Sequence, residues 1–176
     1  MSSSSYKKIA AALLSAGFVA GAFAQGFGPA PALAPADRKF LEEAAVDGMA
    51  EVELGRLAQQ KASSDSVKKF GARMAADHAK ANAELKALMP TRNVPIPNGL
   101  DKKHQKQIDE LDKMSPMRFD HEYMEQMVSD HKKDVEEFKQ QAQSAKDPAI
   151  KAFAAKTLPT LESHLKQAEA VKAALR

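Results

Sequence analysis

The sequence predicts an all-α protein, a four-helix bundle of two hairpins joined by a long connection that carries a short extra helix. Three observations lead there. Four long stretches place apolar residues at helical spacing. Cap clusters, SSDS at 63–66 and Asp147-Pro148, divide these stretches into pairs with short turns. Between the pairs, PTRNVPIPNG at 90–99 holds three prolines and an Asn-Gly, which no helix tolerates.

The first helix is expected from Asp37, its N-cap, to about Lys61. Leu41, Ala44, Gly48, Val52, Gly55 and Ala58 share one face, and the glycines there permit a neighbouring helix to come close. The second runs to about Met89, with Val67, Phe70, Met74, Ala81, Leu85 and Leu88 on its stripe. Leu100 to Lys113 reads as a short helix with Ile108, Leu111 and Met114 facing in. Ser115-Pro116 supplies an N-cap and first-turn proline for the third long helix, which runs to about Ala145. Asp147-Pro148 opens the fourth, and Pro159 inside it is expected to kink it. A connection of ~26 residues can travel back along a ~37 Å bundle, at ~1.5 Å per helical residue. Two hairpins with one long crossover is the ferritin-like arrangement. An up-down-up-down bundle with 90–115 as an elaborated loop is its rival.

The chain start indicates export. Lys7 and Lys8 precede an apolar run from Ile9, and Ala22-Phe23-Ala24 offers small residues at a cleavage site. The expected organisation is a signal peptide at 1–24, a Pro/Ala/Gly tether at 25–36 and a four-helix domain at 37–175. The apolar run is shorter than the ~20 residues a membrane span needs. An exported protein, periplasmic or envelope-associated, follows.

Composition removes several function classes. Loss of Lys7 and Lys8 takes the net charge from +3 to about +1, and the remaining basic residues are interleaved with acids. Nucleic acid is not an expected partner, and no phosphate-binding loop is present. Cys is absent, which excludes thiol catalysis, thiolate metal sites and disulfides. No protein partner can be read from these residues.

One frame occurs twice, MAADHAKANAEL at 74–85 and MVSDHKKDVEEF at 127–138. On a helical wheel of ~100° per residue, His78, His131 and His164 lie on or beside the apolar stripes of three helices. Glu51 does so on the first helix. All four fall within about three residues of their helix midpoints, so at ~1.5 Å per residue they share one layer ~5 Å thick. Burying these groups without partners is expensive. A transition metal (Fe, Cu, Zn or Mn) held by Glu51, His78, His131 and His164 removes that cost, with Asp77, Asp130 or Asp134 as further ligands or outer acceptors. A metal-free His–Asp packing network removes it too. Met74 and Met127 each precede a His by one turn, and thioether with imidazole suits copper. Filling the core is their simpler role. His121 faces outward, and His104, in the connection, has no assigned part.

The blocks FLEEAAVDGMAEVELGRLA, VKKFGARMAADHAKANAEL, FDHEYMEQMVSDHKKDVEEF and IKAFAAKTLPTLESHLKQA resemble the exported bacterial family known as domain of unknown function 4142. The resemblance covers about residues 37–173 and implies a fold of the ferritin-like superfamily. Its members are often labelled outer-membrane proteins, yet nothing here alternates like a transmembrane strand. Ferritin-like metal enzymes pair Glu with Glu-x-x-His motifs. Here Ala75 precedes His78 and Leu161 precedes His164 at that spacing, so ferroxidase or oxygenase chemistry does not carry over. Three functions follow: a metal-binding module, a non-catalytic structural or stress-related bundle, and a metal-dependent oxidase or peroxide-consuming enzyme. No catalytic residue is assigned.

Overall fold

The structure, a computed structural model, describes residues 32–175. They form α1 (Pro35–Lys61), α2 (Asp65–Leu88), a 3-10 turn at Pro90–Arg92, α3 (Lys102–Asp112), α4 (Pro116–Ser144) and α5 (Pro148–Ala174). No strand occurs among the described residues. The expected signal peptide and most of the expected tether lie outside them.

Two apolar clusters fix the topology. At one end, Leu54, Ala58 and Ala62 from the finish of α1 meet Val67 and Phe70 from the start of α2, Phe119 and Tyr123 from the start of α4, and Ala168 near the finish of α5. At the other, Phe40 and Leu41 meet Leu85 and Met89, Phe138 and Ala145, and Ile150 and Phe153. So α2 and α4 run the same way, opposite to α1 and α5, and the chain crosses the length of the bundle between α2 and α4. This is the ferritin-like arrangement rather than up-down-up-down. Each helix packs antiparallel on two neighbours, in the ring order α1, α2, α5, α4.

Local chemistry explains most boundaries. α1 and α2 come close where Gly55 meets Gly71: a Cβ on Gly55 would lie 2.6 Å from the Gly71 carbonyl oxygen. α5 is capped by Asp147, whose Oδ1 accepts from the Ala149 and Ile150 amides at 2.8 and 3.1 Å. α3 is capped by Asp101, whose side chain accepts from the His104 amide. Asn93, at φ 53°, takes the left-handed conformation that ends the 3-10 turn. Phe40, Phe138 and Phe153 pack together with centroids 5.0 to 6.5 Å apart.

One sequence expectation needs correction. Asp37 is not an N-cap: α1 begins at Pro35, after Ala34. Instead Asp37 Oδ2 accepts from the backbone amides of Lys146 and Asp147, at 2.9 and 2.7 Å, across the bundle in the α4–α5 turn. Proline fixes φ for a first turn and needs no donor there, so Pro35 starts the helix earlier than the polar cap suggests. Ser115 occupies the N-cap of α4 as expected, but its side chain makes no cap hydrogen bond. α5 runs through Pro159 without a break. Pro159 and Ala155 are both exposed, so the carbonyl that loses its partner is left to water.

Candidate metal centre

Four helices each deliver one side chain to mid-bundle. Glu51 comes from α1, His78 from α2, His131 from α4 and His164 from α5, and all are buried. The three imidazoles surround one point, with ring centroids 5.3 to 5.7 Å apart in each pairing. They offer nitrogens within 4.8 Å of one another.

Each ring is oriented by an acceptor on its outer side. His78 Nδ1 lies 2.8 Å from Glu51 Oε2. His164 Nε2 lies 2.8 Å from Asp77 Oδ2. His131 Nδ1 lies 2.9 Å from the Met127 carbonyl oxygen one turn earlier, to which it donates. A proton held on the outer nitrogen leaves the other nitrogen with a free lone pair. Those remaining atoms are His78 Nε2, His131 Nε2 and His164 Nδ1, and all three are buried without a partner. Glu51 Oε1 is buried as well, 3.7 Å from His131 Nε2, and the Asp134 carboxyl is the one group beside it able to donate. Imidazoles ordered by carboxylate and carbonyl acceptors, with inward lone pairs, make the donor arrangement of a nitrogen-rich metal site.

The electrostatics favour neutral imidazole. Burial lowers His78 and His164 to about 4. Burial, then the neighbouring His78 and His164, lowers His131 to about 3. Burial pushes Glu51 well above the carboxylate range, and Asp134 is raised to about 9 by burial and then by Glu51. Burial also raises Asp77, but its contacts with His164 and Arg73 more than reverse that, and its pKa is lowered. Arg73 closes this side: its guanidinium reaches Asp77 at 3.3 Å, Gln167 at 2.8 Å and Ser163 at 2.9 Å.

Of the residues singled out from sequence, Glu51, His78, His131 and His164 are brought together. Asp77 stands behind His164 as its acceptor. Asp134 joins Glu51 and His131 on the α1–α4 side, with ligand atoms within 4.8 Å of one another. Asp130 is not part of the cluster: it is half-exposed beside Lys133 and lines an outer cavity. Met74 and Met127 are fully buried in the apolar cluster on one side of the layer.

Sequence reasoning missed His104. It is largely buried in α3, with Nε2 3.1 Å from Asp47 Oδ1 and Nδ1 2.9 Å from Asp101 Oδ1. The signal was available, because His104, Ile108 and Leu111 recur at i, i+4 and i+7. The Tyr123 hydroxyl is buried without a partner, and burial and then Glu51 push its pKa up.

Fold and site together define a class: an all-α bundle with a buried cluster of histidines and carboxylates suited to a metal ion. The chain belongs to the family described as "Domain of unknown function (DUF4142)", whose model matches residues 22–171. The comparison with curated proteins gives no match. Two solved structures share the fold. A DUF305 fragment from Deinococcus radiodurans superposes with a TM-score of 0.69 at 11% identity, covering 81% of this chain and 99% of that one. CopM in its Cu(II)-bound form superposes with a TM-score of 0.67 at 19% identity, covering 80% of this chain and 97% of that one. Among the described residues, no helix is long and apolar enough to cross a membrane.

Proposed function

We propose that the protein is an exported metal-binding bundle, taking one transition metal ion at mid-bundle through His78, His131 and His164, with Glu51 as fourth ligand or close counter-charge. The observation that carries this reading is the set of buried, unpartnered nitrogens, His78 Nε2, His131 Nε2 and His164 Nδ1. A dry packing network predicts the opposite, since buried polar groups are paired when pairing is their purpose. Three imidazoles favour Cu(II) or Zn(II) over hard cations such as Mg(II). The fold shared with CopM in its Cu(II)-bound form makes Cu(II) the first ion to try.

The test is a set of thermal melts on chelator-stripped protein with Cu2+, Zn2+, Fe2+ and Mn2+ separately. An ion at a hundred times its dissociation constant adds ~2.7 kcal/mol if it binds only the folded state. That shift is expected for Cu2+ or Zn2+ and is lost in His131→Ala. Absence of a shift with every ion returns the layer to a packing role.

A further inference from the structure

The cluster is not equally open on its four sides. One end is closed by Phe70, Met74, Tyr123 and Met127, and at the other Phe138, Phe153 and Leu161 leave only a small cavity of about 30 Å3 against Glu51 and His78. On the α2–α5 side, the Arg73 guanidinium stands over Asp77. An approaching cation is repelled there. The α1–α4 side differs in both space and charge. A cavity of about 210 Å3 lies there, roofed by α3, where Asp47, Glu51, Asp130, Asp134 and Glu137 outnumber Lys103 and Lys133.

Acidic side chains around a cleft are often no more than solvated. Glu51 distinguishes this cleft. It lines the cavity, is only 7% exposed, and its Oε1 has no donor apart from the Asp134 carboxyl beside it. Its other oxygen is on His78 at 2.8 Å. Glu51 is therefore one carboxylate facing two places, the acidic cavity and the imidazoles. Asp134 and His131 stand beside it with ligand atoms within 4.8 Å.

We infer that this cavity is the route by which the metal ion enters, and that Glu51 and Asp134 at its floor form an oxygen subsite that receives the ion before the imidazoles take it. The inference rests on the reading of the histidine cluster as a metal centre. Carboxylates outnumber lysines in this lining, and a predominantly acidic cleft raises local cation concentration. Carboxylates hold borderline first-row ions less tightly than imidazoles do, so transfer runs inward. α3 forms the roof, and its His104 contact with Asp47, at 3.1 Å, sits at the mouth.

Stopped-flow loading of the full protein with Co2+, whose visible spectrum reports its ligands, tests this. The variant Asp47→Asn with Glu137→Gln removes two mouth carboxylates and leaves the imidazoles in place. Loading is expected to slow by about tenfold and to lose salt dependence, while the final spectrum and affinity stay as in the parent. Lys103→Glu, on the exposed roof, is expected to speed loading and guards against a mouth variant that fails to fold. Parent-like rates and salt dependence in both variants overturn the entry route, as does faster loading in Arg73→Gln, which would place entry on the other side. Absence of any Co2+ band in the parent overturns the metal-centre reading itself. That outcome is distinct from an intact band with unchanged rates, which sinks only the route.

Discussion

Buried acids and histidines occur in two kinds of place in this bundle, and they are treated differently. At the ends, Asp37 and Asp120 are each 2% exposed. Both are fully employed. Asp120 accepts from the Ser63 and Ser64 amides, at 3.1 and 2.8 Å, and from the Ser63 hydroxyl. Asp37 accepts from the Lys146 and Asp147 amides. Each thus ties the turn of the opposite hairpin to its own helix. At mid-bundle, the three histidines each keep one buried atom idle. The interval from Asp37 to Glu51 equals that from Asp120 to Asp134, so each hairpin carries one such carboxylate at an end and one near mid-bundle. A buried group satisfied by backbone donors holds the fold. A converging set left unsatisfied holds a place for something else.

This contrast is most sharply broken at the ends. Asp120→Ala strands two backbone donors and a hydroxyl, and an unsatisfied buried donor costs about 1–3 kcal/mol. A loss of about 3 kcal/mol is expected in urea unfolding, with Asp37→Ala somewhat less. A loss under about 1 kcal/mol in both would dissolve the distinction. The middle should behave the other way in metal-free protein. Replacing His78 and His131 together by Leu removes buried, half-satisfied polar groups, and such swaps are often neutral or stabilising by about 1–2 kcal/mol. The same double variant should lose the metal-induced melting shift completely. A strongly destabilised His78→Leu/His131→Leu protein would mean that the layer is a packing network after all.

Much of this was legible from residues, and what was not has physical reasons. The 3.6-residue period placed Glu51, His78, His131 and His164 inward, and distance from helix midpoints gave their common height, because four long helices of similar length pack in register. Topology was legible only as a pair of options. The length of 90–115 permits a crossover but does not require one, and the choice is made by which helix ends share a cluster, as Phe119 with Ala62 and Val67 does. Asp37 and Asp120 were illegible as turn caps, since a carboxylate's partner across the bundle leaves no local spacing. Asp130 and Asp134 sit one helical turn apart and look equivalent in sequence. Packing separates them: Asp134 turns toward Glu51, and Asp130 faces the outer cavity with Lys133.

The smallest expected effect is also the one that separates an empty site from a filled one. Asp134 holds its proton to about 9 in the folded chain against an ordinary value of 3.8. Between those values the folded state binds the extra proton, so stability falls as pH rises. Glu51 adds to this, being raised in the same direction. The histidines act oppositely. With His78 and His164 at about 4 and His131 at about 3, against 6.5 when free, the unfolded chain takes up more protons below pH 6.5 and stability falls as pH drops. Metal-free protein should therefore be most stable close to pH 6.5 and decline toward pH 9. Asp134→Asn should flatten the alkaline limb between pH 7 and pH 9, measured by urea titration at each pH. Metal loading should reverse that limb, because ligands must be deprotonated to bind and affinity grows with pH. An alkaline decline that persists unchanged with saturating Cu2+ or Zn2+ would show that the ion sits elsewhere. A limb that turns upward in the parent but not in His131→Ala would tie the proton balance of Glu51 and Asp134 to the ion held by the imidazoles.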